Sequence, residues 1–174
     1  MRPNDLLFAV LLNLTACLCP AQAQQATFRD SLLDRLAGHW TLSGPMAGHP
    51  AVHDVAAQWV LNHQYLEFRE TSRDKNKSGQ PSYVADVFIG WDGPTHQYVC
   101  VWLDDYGDIS TQSLGHAPHK GDSIKFVFQD SNDPGRFHTT FAYDRASGTW
   151  TMDMDNETNG KLSPFARTVL TPSQ

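Results

Sequence analysis

The chain has 174 residues, 18% of them charged, and a formal net charge of −6. An acidic chain without clusters of Lys and Arg lacks the electrostatic footprint of a nucleic-acid binder, and nothing in it favours docking on anionic lipid. No internal repeat, low-complexity tract or interdomain linker divides it, so one folded domain behind a short leader is expected.

The leader is residues 1–23. Arg2 precedes the apolar run Leu6-Leu7-Phe8-Ala9-Val10-Leu11-Leu12, and Pro20 leads into Ala21-Gln22-Ala23. A basic start, a short apolar stretch and a small-residue site describe a secretory signal peptide cut after Ala23. The run is too short to span a bilayer comfortably. Leu14-Thr15-Ala16-Cys17 also has the shape of a lipobox, which makes a lipid anchor at Cys17 the alternative. A secreted or periplasmic location is expected, with the membrane a partner only if Cys17 is lipidated. Cys17 and Cys19 fall in the leader, so Cys100 stands alone in residues 24–174 and no internal disulfide is expected. Within Tyr98-Val99-Cys100-Val101-Trp102 it reads as a small buried hydrophobe.

Residues 27–37 are the one good helix candidate. Thr27 is placed to cap it with Asp30 three residues on, and Phe28, Leu32, Leu33 and Leu36 share a face. Such a helix would plug one end of whatever follows. Gly38 ends it, and Gly38-His39-Trp40 opens the first strand. A Gly-x-Trp here, with an Arg near the end of the last strand, is how small ligand-binding barrels close their base. Gly38 admits the chain tightly, Trp40 plugs the narrow end, and Arg167 would lie on the indole face.

Everything downstream reads as strands broken by turns: His39–Ser43, Val52–Leu61, Gln64–Thr71, Ser82–Trp91 and Gln97–Leu103, then Asp108–Leu114, Ser123–Gln129, Arg136–Tyr143, Thr149–Asn156 and Leu162–Leu170. Regular spacing with short turns predicts an all-β, antiparallel, up-and-down barrel of about 8–10 strands. Alternation assigns the faces. Trp150, Met152 and Met154 alternate with Thr and Asp, Phe126 and Phe128 with Lys125 and Gln129, and Phe137 and Phe141 with His138 and Thr140. Phe126, Phe128, Phe137, Phe141, Trp150 and Met152 are therefore the expected lining of a pocket, with Arg69 and Tyr83 as polar anchors. The same residues would equally build a solid, purely structural barrel.

Leu36-Ala37-Gly38-His39-Trp40 resembles the N-terminal signature of lipocalins and the wider calycin group. Gln58–Leu61, Tyr65–Glu70, Val87–Asp92, Val101–Asp104 and Phe165–Leu170 are similar to a bacterial lipocalin-like family of unassigned function. The resemblance covers most of residues 32–170. It implies a calycin-type barrel that binds a small hydrophobic molecule, with no established catalysis. A lipocalin-like barrel for a small hydrophobic or amphipathic ligand, with no cofactor, is therefore expected.

Three alternatives carry chemistry. His116-Ala117-Pro118-His119 offers two imidazoles in an expected turn, short of the three or four ligands zinc needs, so no metal site is assigned. Some haem-binding barrels resemble this family and use an inward His near the C-terminal strands, but no His follows His138, which faces opposite Phe137 and Phe141. Finally, His63, Tyr65, Glu67 and Arg69 share one strand face. Inward, that face would place Arg69 to anchor a carboxylate, or Glu67 or His63 to act as a general base. With Leu66 and Phe68 inward, it would be a solvated face with ordinary ion pairs. Asp104-Asp105-Tyr106-Gly107-Asp108 reads as an acidic hairpin tip whose spacing is not that of a calcium loop. No nucleophile elbow, phosphate loop or dinucleotide fingerprint is present.

Overall fold

In the computed structural model, residues 27–107, 113–129 and 135–173 are described. The leader, the lipobox Cys17 and most of the strand expected at Asp108–Leu114 lie outside them. The described residues form one closed antiparallel barrel in which each strand pairs with its neighbours in sequence and β1 closes on β10. The strands are β1 (Gly38–Met46), β2 (His49–Val60), β3 (Tyr65–Ser72), β4 (Val84–Asp92), β5 (Gln97–Asp104), β6 (Leu114–Pro118), β7 (Ser123–Gln129), β8 (Arg136–Asp144), β9 (Thr149–Thr158) and β10 (Lys161–Pro172). Closure removes both sheet edges, so no strand is left with a row of open pairing groups.

Alternation does set the interior. Leu66, Phe68, Val87, Ile89, Ile124 and Phe126 are wholly buried, as are Phe141, Trp150, Met152 and Leu170. Cross-strand registers such as Ile124↔Phe141, Phe141↔Met152 and Leu42↔Leu170 bring this set together in the middle of the barrel. The rings of Phe68, Phe126 and Phe141 meet edge to face, at 5.6 Å and 6.3 Å. Cys100 sits in the same interior, fully buried, and that burial pushes its thiol well above the ordinary range. It should accordingly resist a disulfide-exchange reagent at pH 8 in the native protein and react stoichiometrically once denatured. Fast native labelling would show an interior far looser than this packing.

The N-terminal helix departs from expectation. It is a single turn, α1 (Leu33–Leu36), not residues 27–37, and the carboxylate at its start is that of Asp30, with no capping bond from Thr27 among those seen. The Asp30 carboxylate accepts from the Leu32 and Leu33 N–H groups at 2.8 Å and 2.9 Å, and from the Tyr98 hydroxyl. At the other end of the turn two indoles take over. Trp40 Nε1 donates to the Leu36 carbonyl at 2.8 Å and Trp150 Nε1 to the Arg35 carbonyl at 3.3 Å. The carbonyls a helix end leaves unpaired are thereby satisfied by the barrel it plugs. Leu32, Leu33 and Leu36 bury their side chains in that mouth.

The expected closure pair is corrected. Trp40 pairs with Val55 and Pro172 at the plugged end, whereas Arg167 lies five residues earlier on β10. Ala166, Thr168 and Leu170 are the buried set on β10, so Arg167 points outward, where it donates to Asp155 and, at 2.8 Å, to the Met154 carbonyl. The cation–π contact at this end is a different one, Arg35 over the Tyr143 ring at 5.3 Å. Gly38 does hold a positive φ of +144°, with the Trp40 indole nitrogen 3.7 Å from where a Cβ would sit. β1 runs past the end expected at Ser43, through Gly44-Pro45, to a hairpin at Ala47 and Gly48. At Gly44 a Cβ would fall 2.2 Å from the Arg167 carbonyl oxygen, so only glycine lets β1 and β10 close here.

Candidate functional site

The end of the barrel opposite α1 is open. There the ends of β1, β3, β5, β7 and β9 and the beginnings of β2, β8 and β10 surround a cavity of about 660 Å³. That volume lies within the range of small-molecule sites. The barrel is thus filled in its plugged half and hollow in its open half. A ten-strand wall is wide enough for both, and here the side chains fill only part of it.

The cavity wall divides by strand. On the side of β2 to β5 it is polar, presenting His53, Glu70, Tyr83 and Asp104, with the Trp102 indole among them. On the side of β7 to β10 it is apolar, formed by Phe128, Phe137, Met154 and Phe165, with Thr139 the exception. Phe137 and Phe165 meet edge to face at 5.5 Å.

The polar wall follows from strand parity. On β3, Glu70 has the same parity as Leu66 and Phe68, so the phase that buries those two also buries Glu70, which is 0% exposed. On β2, His53 continues the inward series of Val55 and Ala57. Val55 is registered with Glu70 and His53 with Ser72, which places the imidazole diagonally beside the carboxylate. His53 Nδ1 hydrogen-bonds Glu70 Oε1. The second oxygen, Glu70 Oε2, is buried with no hydrogen-bond partner, and so is Thr139 Oγ1 across the cavity. Buried polar atoms are normally satisfied, so these two mark a place for something else.

Tyr83 completes this wall. Its ring lies 6.0 Å from that of His53, and its oxygen accepts from Trp102 Nε1 at 3.0 Å. Burial first, and then the negative charge of Glu70, hold its pKa far above the ordinary phenol value. It therefore stays a neutral hydroxyl with a proton to donate. Asp104 accepts the Tyr106 N–H at 3.1 Å while bordering the cavity. Among the described residues the cavity wall holds two carboxylates, Glu70 and Asp104, and no Lys or Arg.

Of the residues singled out from sequence, Tyr83, Phe128 and Phe137 border this cavity. Phe126, Phe141, Trp150 and Met152 are wholly buried in the packed interior below it. Arg69 is a correction: it stands on the outer face, 55% exposed at its side chain, with Nη1 donating to both Asp86 carboxylate oxygens at 3.1 Å. The reason is parity, since Leu66 and Phe68 take the inward phase. Glu67 shares the outer face and accepts from Gln58 at 2.8 Å. His63 sits in the β2–β3 turn with a φ of +63°, stacked on Trp59 at 4.0 Å. Neither of these two residues borders the cavity. His116 belongs to β6 and not to a turn, while His119 stacks on Tyr98 at 5.6 Å. His138 takes the outer phase of β8 but is buried there, bonding Glu157 at 2.6 Å. Among the described residues no three His, Cys, Asp or Glu side chains converge on a metal-sized point.

His53, Glu70, Trp102 and Thr139 were not singled out from sequence, and Asp104 only as part of an acidic hairpin tip. The signal for Glu70 was present, a carboxylate in phase with Leu66 and Phe68. Comparison with family models finds no match, and comparison with curated proteins finds no significant one. The class defined by fold and site is a ten-strand closed barrel with an open, two-sided cavity.

Proposed function

We propose that this protein is a lipocalin-like binder that holds one small amphipathic organic molecule in the open half of its barrel. The polar end would meet His53, Glu70 and Tyr83, and the apolar body Phe128, Phe137 and Phe165. The observation that carries the reading is Glu70 Oε2, a wholly buried carboxylate oxygen on the cavity wall without a partner. A purely structural barrel gains nothing from leaving such a group unsatisfied, because each costs about 1–3 kcal/mol. The leader-like residues 1–23 support action outside the cytoplasm, by secretion or, with lipid on Cys17, at a membrane surface.

The same pair supports a second reading. A carboxylate at Nδ1 fixes an imidazole's tautomer and leaves Nε2 to accept a proton from a bound molecule, the arrangement of a general base. The residue types expected for a barrel enzyme thus occur in the cavity as His53 and Glu70, in place of His63 and Glu67.

Native mass spectrometry of protein purified without organic solvent tests both readings. Binding predicts a reproducible added mass that denaturation releases and that returns unchanged when the extract is added back. Conversion of the extracted compound on standing with the protein would favour the base. A bare polypeptide mass before and after incubation with cell extract would count against a binder.

A further inference from the structure

We propose that the cavity selects an organic amine, a cationic ammonium head on an apolar body, over a carboxylic acid or a neutral alcohol of the same size. This rests on the cavity being the binding site. Its basis is the charge and geometry of the two walls, which the volume alone does not supply.

A fatty-acid site needs a buried cation or a cluster of donors for the carboxylate. Here the one arginine expected to serve, Arg69, is outside and paired with Asp86. The described wall offers two carboxylates, and Glu70 spends only one oxygen on His53. Its free oxygen needs a donor, and a charged donor gains most there, because that oxygen is buried. Asp104 lies on the same wall of the cavity as Glu70 and Tyr83. A carboxylate ligand would enter against both.

The remaining contacts fit the same head group. Tyr83 and Trp102 present aromatic surface beside Glu70, and a cation over such rings is attracted by their π faces. Opposite, Phe128, Phe137 and Phe165 offer an apolar wall for the body of the molecule. Thr139 Oγ1, also unpartnered, can accept a second N–H from the head group or donate to a polar substituent on the body. A cavity of about 660 Å³ is far larger than an ammonium or metal ion requires, so the cation must carry an organic body.

Calorimetric titration of the purified protein with octylamine, octanol and sodium octanoate, at pH 7 and equal ionic strength, tests this. Octylammonium should bind at least about tenfold tighter than octanol, the margin of one charge-assisted hydrogen bond, and octanoate should be weakest. Glu70→Gln should remove most of that margin, bringing octylamine close to octanol. Asp104→Asn, at a partly exposed position that does not threaten the fold, should cut it at least threefold, roughly as expected for a partly screened charge. Octanol matching octylamine, or an amine margin unmoved by Asp104→Asn, would overturn the amine assignment and leave the binding reading standing. So would octanoate binding tightest. Failure of all three to bind would overturn both.

Discussion

Trp150→Ala is expected to lower the free energy of unfolding by about 3–5 kcal/mol, the cost of truncating a large buried aromatic, and to leave ligand affinity unchanged. The indole is wholly buried at the plugged end, 5.2 Å from the Tyr143 ring, and its N–H holds the Arg35 carbonyl at the end of α1. Truncation therefore removes packing and also orphans a helix-end carbonyl beneath the plug. Tyr143 itself carries the Arg35 guanidinium, so the loss extends to the contact that seats the helix. The cavity lies at the other end and does not include Trp150. Urea unfolding gives the stability change, and titration at a urea concentration where both proteins are folded gives the affinity. Lost binding with undiminished stability would move the ligand to the plugged end.

Most of the barrel was legible because its alternation is clean where both faces are unambiguous. Trp150-Thr151-Met152-Asp153-Met154 admits one phase, and the observed burial follows it. Arg167 was misread because Phe165-Ala166-Arg167-Thr168-Val169-Leu170 has apolar residues in both phases. A register shift between Pro164 and Ala166 then breaks the count from the strand's beginning. Nothing local shows that Ala166 and Thr168 are inside. The helix shrank to one turn because a barrel mouth has room for one turn of buried leucines, and tertiary packing outweighed the helical pattern of residues 27–37.

The site was less legible for a physical reason. Binary patterning treats a polar residue as evidence for the outer face, so His53 and Glu70 were passed over although their neighbours Val55 and Phe68 point inward. Inward polar groups are breaks in the pattern, and such breaks concentrate where a protein gives up stability for function. The apolar candidates were chosen by size. Size alone does not separate Phe126, packed beneath the cavity, from Phe128, one pleat higher on its wall.

The His53–Glu70 pair should therefore show a large coupling when taken apart. His53→Leu is expected to cost about 3–5 kcal/mol, because it leaves a buried carboxylate with no partner. Both side chains sit in the barrel wall, with Glu70 at 0% and His53 at 5% exposure. Replacing both, with His53→Leu and Glu70→Met, substitutes apolar groups of similar volume and removes the buried charge together with its partner. Such exchanges are often neutral or stabilising, so the double variant should recover most of the loss. Denaturant midpoints for the two single variants and the double close a mutant cycle, and the coupling is the departure from additivity. Additive losses would mean that water in the open half satisfies Glu70 as well as His53 does. A folded double variant that keeps its apolar wall but binds octylamine no better than octanol would separate what the pair does for recognition from what it costs the fold.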